Sequence, residues 1–236
     1  MKKILITGAT GFIGSHVTEL LVAKGYKVIA FDRYNPNYNL GCLGDSDFKN
    51  EIEFIFGDIR DYDSVNKAVK NVDTIIFDLG LSSIQLNDLK RGFSFKSKEN
   101  LDMTMGICDF SAQQAINNLS ETQLKLIIKV LGEEREASNI AKNIVKARVK
   151  KRITRVDQLV KIIENSKKRK YSTKINPSTK TFQALRIFVN KEITELINGI
   201  INATKLLKPG GKILVVSFHS IEDRIIKYFF RNFSSN

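Results

Sequence analysis

Gly8, Gly11 and Gly14 recur every third residue within Thr7-Gly8-Ala9-Thr10-Gly11-Phe12-Ile13-Gly14. That spacing lets a backbone turn tightly, brings helix amides close to a ligand and packs the helix against the strand before it. Asp32 closes the next apolar run, Tyr26 to Phe31, where a carboxylate can accept both hydroxyl hydrogens of an adenosine ribose. Together these residues point to a nucleoside-containing cofactor; the structural alternative is glycines kept for turn and packing alone. Asp78 ends a later run, and Ser217 and His219 end the last one. In a doubly wound sheet ligands sit beyond the carboxyl ends of the strands, so these three side chains are candidates to orient a cofactor or touch a substrate.

The elements that must position them are legible as periodicity. Lys3–Thr7, Tyr26–Phe31, Glu51–Phe56 and Val72–Phe77 are short apolar runs ending in glycine or aspartate, with helical spacing between them, as at Val17, Leu20, Leu21 and Val22. After residue 83 the pattern turns helical. Ser111 can cap a helix to about Asn118, and Ser120 with Gln123 forms a capping-box pattern before a helix that Gly132 ends. Further helices fit Glu133–Lys150, Thr154–Glu164 and Lys180–Leu207, and Pro209-Gly210-Gly211 breaks the last before a fifth strand, Lys212–Phe218. The expected fold is α/β, a doubly wound, parallel, Rossmann-like sheet of about five strands in order 3-2-1-4-5, with a helical insert between strands four and five. The expected division is 1–83 for the cofactor-binding half, 84–200 for the insert and 201–236 for the return to the sheet.

The 236 residues carry 38 Lys+Arg against 25 Asp+Glu, a net charge of +13. Lys142–Lys180 alone holds 14 basic residues and two acids, Asp157 and Glu164. A cationic surface of that density binds phosphates by releasing counterions, the electrostatic footprint of a nucleic-acid partner; the plainer alternative is a solvated lysine-rich face. Lys151, Arg152, Lys167, Lys168, Arg169, Lys170, Lys180 and Arg186 are the candidate contacts to RNA or DNA. Two cysteines and two histidines assemble neither a disulfide framework nor a usual zinc site, so no metal is expected. No apolar stretch is long enough to span a membrane, and the expected location is cytoplasmic.

Two families are resembled. Thr7–His16, Asp32 and Gly57-Asp58-Ile59-Arg60-Asp61 resemble the opening of the extended short-chain dehydrogenases, the nucleotide-sugar epimerases and dehydratases. That resemblance implies NAD, with Asp58 and Ile59 flanking the adenine. The family's Tyr-x-x-x-Lys is absent after every tyrosine, so hydride chemistry of that type has no proton shuttle. From Phe77 onward the chain resembles the bacterial 16S rRNA cytosine-N4 methyltransferases, the MraW family. The residues that carry this likeness are Asp78–Leu86, Arg91–Phe95, Leu101–Met103, Gly132–Arg135, Pro177–Ile187, Leu207–Gly211 and Ser217–Arg224. Gly14-Ser15-His16 falls where that family carries Gly-Gly-His, which places Ser15 and His16 near the cofactor. The two likenesses meet near Phe77 and Asp78, so the chain reads as a chimera joined where both folds share strand order. It ends at Asn236, before the final strands the family fold would supply, leaving strand five as the expected sheet edge.

The second resemblance implies S-adenosylmethionine as cofactor, with NAD the alternative, and small-subunit rRNA as partner. It implies that Asp78 and Gln85 contact the methyl donor and that the helical insert holds RNA. Positioning and electrostatics would supply most of the rate, because the exocyclic N4 of cytosine is a weak nucleophile. Asp78 would orient cofactor or substrate, and Ser217 and His219 would meet a base splayed from its stack. A local turn or a contact to the RNA backbone is the alternative for His219. Phe93, Phe95 and Phe182 are suited to stacking on a base or to packing a core. The competing functions are an NAD-binding remnant without turnover and a catalytically dead RNA-binding module.

Overall fold

The computed structural model describes residues 2–32, 39–58, 61–70, 72–80, 86, 88–105, 110–167 and 176–233. The chain divides into two compact units, one of residues 1–84 with 193–236 and the other of residues 85–192.

The first unit is built on five parallel strands, β1 (Lys3–Thr7), β2 (Lys27–Asp32), β3 (Glu53–Phe56), β4 (Thr74–Asp78) and β5 (Lys212–Val216), in spatial order β3-β2-β1-β4-β5. This is the order expected from the sequence. Because side chains alternate across a strand, each central strand feeds two cores. Leu5, Ile29, Phe31, Ile75 and Phe77 face Ala68 and Val69 of helix α2 (Tyr62–Val69). Ile4, Ile6, Val28 and Ala30 face Val22 of helix α1 (Phe12–Ala23), together with Leu43 and Ile52. β5 is an edge strand and its Leu214 is 48% exposed.

The second unit is helical: α3 (Ala112–Asn118), α4 (Glu121–Leu131), α5 (Ala137–Lys150), α6 (Val156–Ser166) and α7 (Thr179–Asn190). Ser111 with Gln114 and Ser120 with Gln123 form complete capping boxes, so both starts lie where the sequence puts them. Leu124, Ile128, Ile140, Ile144, Leu159 and Leu185 are all fully buried. Asn190 fastens the loop after Leu101 to α7, donating from Nδ2 to the Met103 carbonyl at 2.8 Å and accepting the Met105 amide at 2.6 Å.

One helix differs from expectation. Lys180–Leu207 is not continuous, because Lys191 adopts a left-handed backbone (φ 53°) and separates α7 from helix α8 (Glu192–Leu206). Lys191 is not the glycine that usually marks such a stop, so apolar spacing on both sides conceals it. The boundary between the units falls beside this break, at 192/193. Helix α9 (Ser220–Phe233) follows β5. No helix among the described residues is long and apolar enough to cross a membrane.

Candidate active site

The carboxyl ends of β1 and β4 lie side by side where the chain order reverses, and the glycine turn rises from β1 between them. Gly8 has φ +74°, and a Cβ on it would lie 2.5 Å from the Asp78 carbonyl oxygen; only a glycine lets the turn pass so close to β4. A Cβ on Gly14 would lie 2.3 Å from the Gly8 carbonyl, so that glycine sets how closely α1 seats on the turn. Gly11 caps α1 without a side-chain bond.

Two aspartates close on this turn. Oδ2 of Asp32 accepts the Thr10 amide at 3.0 Å and the Thr10 hydroxyl at 2.6 Å, strapping the end of β2 to the loop. Oδ2 of Asp78 accepts the Gly14 amide at 2.9 Å, so its carboxylate caps the first turn of α1. Oδ1 of Asp78 is buried without a hydrogen-bond partner. Burial pushes the Asp78 carboxyl above its ordinary value and the charge of Asp32 adds to the shift, while the Gly14 amide opposes both. The Asp78 carboxylate therefore has one oxygen fixed by a backbone amide and one buried oxygen that is unpaired.

The other residues expected at the cofactor behave differently. Ser15 is buried and its hydroxyl donates to the Phe12 carbonyl at 2.9 Å, inside the helix. His16 projects from α1, exposed, with its ring edge-on to Phe12 at 5.0 Å and Nδ1 3.8 Å from Glu19 Oε2. Asp58 lies just beyond β3, and its carbonyl accepts the Asp61 amide. Ile59 and Gln85 lie outside the described residues.

Ser217 follows the end of β5, half-buried. His219 sits at the start of α9, and its Nδ1 accepts the Glu222 amide at 3.4 Å. Glu222 is buried and reaches back to the Phe218 amide at 3.3 Å. This is a reciprocal cap with histidine in place of serine, the local-turn alternative for His219. Nε2 of His219 lies 3.2 Å from Glu222 Oε1 without hydrogen-bond geometry. With Nδ1 accepting, neutral His219 carries its proton on Nε2.

In the helical unit the aromatics pack rather than display themselves. Phe93 and Phe182 are buried, and Phe95 meets Phe182 edge to face at 6.4 Å. Among the basic candidates, Lys151 and Arg152 are exposed; Lys180 is exposed and donates to the Glu133 carbonyl at 3.0 Å. Lys167 is instead bound to buried Glu134 at 2.7 Å. Burial works to raise the Glu134 carboxyl, but Lys167 and the Glu136 amide outweigh it and leave it below its ordinary value. Arg186 holds Glu192 with two hydrogen bonds, Nε to Oε1 at 2.8 Å and a terminal nitrogen to Oε2 at 2.9 Å. Both cations are thus committed to internal pairs, a departure from their expected role on an open RNA surface. Lys168, Arg169 and Lys170 lie outside the described residues. Lys142, Lys146 and Lys150, not singled out from sequence, stand exposed on one face of α5; their four-residue spacing was the available signal.

A model of the MraW methylase family matches residues 2–236, and so spans the Phe77–Asp78 junction. The chain is 41% identical over 223 residues to the ribosomal RNA small subunit methyltransferase H of Bartonella henselae, covering 94% of this chain and 62% of that protein. It is 39% identical over 237 residues to the protein of the same name from Ehrlichia canis, covering 99% and 80%. The chain thus spans between about three-fifths and four-fifths of these relatives' lengths. Among solved structures, dTDP-glucose 4,6-dehydratase from Bacillus anthracis in complex with NAD shares 26% identity over 36% of this chain and 28% of its own, with a TM-score of 0.30.

Proposed function

Since the chain belongs to the MraW methylase family, we propose that it methylates the exocyclic N4 of a cytosine in small-subunit rRNA, with S-adenosylmethionine as donor. The observation that carries this reading is the pair of aspartates on the glycine turn, Asp32 held by Thr10 and Asp78 held by Gly14.

The residues of the crevice suit that donor. Asp32, at the end of β2, is placed for ribose hydroxyls, and the buried, unpaired Oδ1 of Asp78 has acceptor capacity for an N–H group. Two carboxylates side by side favour a cationic ligand over an anionic one. When bound, S-adenosylmethionine supplies an electrophilic methyl on a sulfonium. The chain's own contribution is to orient and to hold charge. Asp78 Oδ1 receives an N–H of the cytosine amine or of the donor's ammonium, and the glycine turn keeps that oxygen at a fixed position. Ser217 lies beyond the neighbouring strand end, where a splayed base can meet its hydroxyl. His219, with Nδ1 engaged by the Glu222 amide, serves to set the start of α9 rather than to remove a proton.

The exposed lysines of α5, with Lys151 and Arg152, supply phosphate contacts to RNA. A soluble, cytoplasmic protein fits this reading. The test is transfer of labelled methyl from S-adenosylmethionine to small-subunit RNA, followed by nucleoside analysis. Incorporation as N4-methylated cytidine, lost in Asp78→Ala, is the expected result. No incorporation by the purified chain, or label at another atom, would overturn the proposal.

A further inference from the structure

The glycine turn is of the type that aims helix amides at a pyrophosphate, yet the first turn of α1 already holds an anion. Asp78 Oδ2 accepts the Gly14 amide at 2.9 Å, and a Cβ on Gly11 would lie 3.7 Å from the same oxygen. The carboxylate therefore stands over both the second and the third glycine of the turn. A Cβ on Gly8 would lie 2.5 Å from the Asp78 carbonyl oxygen, so the turn and the end of β4 are held close together. Asp78 Oδ1 is buried and without a partner, so no hydrogen bond to it offsets the charge of the carboxylate.

From this arrangement we infer that Asp78 is a specificity-determining residue that bars diphosphate-bearing nucleotides from the crevice by occupying the anion seat at the start of α1. A diphosphate would compete with a resident carboxylate for the same amide and meet its charge at close range. An adenosine whose 5′ substituent carries positive charge meets no such barrier. Asp32 lies on the other side of the turn, bound to Thr10 rather than to the α1 amide, and does not share the seat. The inference rests on the nucleoside reading of the crevice and adds to it the exclusion of one cofactor class.

Isothermal titration of the full chain with adenosine, ADP and NAD tests it. The wild-type chain should bind adenosine at least tenfold more tightly than ADP or NAD. Asp78→Asn keeps an acceptor for the Gly14 amide but removes the charge, and should gain at least tenfold for ADP and NAD. Asp32→Asn should weaken adenosine and ADP together and leave their order unchanged. Wild-type ADP binding as tight as that of adenosine would overturn the inference without recourse to any variant. So would a folded Asp78→Asn that gains nothing, or a reversal of the order by Asp32→Asn. Failure of S-adenosylmethionine to bind would count against the proposed methyl donor alone, because a gain of diphosphate binding in Asp78→Asn would still uphold the exclusion.

Discussion

In the sheet unit the acids of the crevice are fixed by backbone amides: Asp32 by that of Thr10, Asp78 by that of Gly14. In the helical unit the cations on display include three lysines on one helix face, Lys142, Lys146 and Lys150, arranged by their spacing along α5. The first arrangement depends on individual atoms, and a displacement of an ångström changes what it can hold. The second is a field, which tolerates the loss of one member and depends on salt. In the proposed function, selectivity for a small ligand and adhesion to a polyanion reside in different kinds of structure within one chain.

The sharpest way to break this contrast is Gly14→Ala. Its methyl would meet the Gly8 carbonyl at 2.3 Å and Ala9 Cα at 2.9 Å, both backbone, so the turn must shift. We expect loss of S-adenosylmethionine binding and a destabilisation of about 3 kcal/mol, read by titration and chemical denaturation; unchanged affinity would show that the crevice is not atom-specific.

The helical unit has one atom-specific pair of its own, Lys167 with Glu134. Lys167→Met should cost about 3 kcal/mol by stranding the buried Glu134 carboxylate, Glu134→Gln less because Lys167 is only half-buried, and the double variant less than their sum. The sign of the pH effect follows from the depressed Glu134 carboxyl: its stabilisation is present above the ordinary 4.5 and lost as pH falls through the lower, folded-state value. Additive losses in denaturation midpoints would exclude the pairing.

Neutralising Lys142, Lys146 and Lys150 together should weaken binding to small-subunit RNA and reduce the log–log salt slope by roughly 0.7 to 0.9 for each phosphate no longer neutralised, with thermal stability unchanged. A constant slope in filter-binding titrations would make that face solvated surface only.

The smallest expected effect is a pH-dependent stability gap. Because the Asp78 carboxyl is raised in the folded chain, its protonated form adds stability that is fully present below about 3.8 and lost as pH rises through the folded value. The melting temperature of Asp78→Asn relative to wild type should therefore increase from acidic pH to neutrality; a constant difference would contradict the burial of that carboxyl.

Strand order and helix starts were legible in the sequence because they rest on short-range signals: a continuous apolar run in Lys3–Thr7, an aspartate closing β2, and serine three residues before glutamine at two helix starts. The stop at Lys191 was not, since a lysine in the left-handed region leaves no mark in apolar spacing. The site divided the same way. Spacing brought out the glycines and Asp78, but which amide Asp78 would engage depends on β1 and β4 being neighbours across about 70 residues. Lys167 and Arg186 look like any other surface cations in one dimension; their partners, Glu134 and Glu192, are set by packing within the helical unit.

The pairing of β4 with β5 brings Thr74 beside Lys212, 138 residues apart. Closing so long a segment carries an entropic cost that grows slowly with length but must be met before the contact gives any return. During synthesis β4 leaves the ribosome well before β5, so β5 is the last strand available to the sheet. Prior collapse of the intervening helices shortens the segment to be closed. Contacts within the insert are local and β4–β5 pairing is not, so a defect in the inserted helices is expected to slow completion of a strand pair to which they contribute no residue.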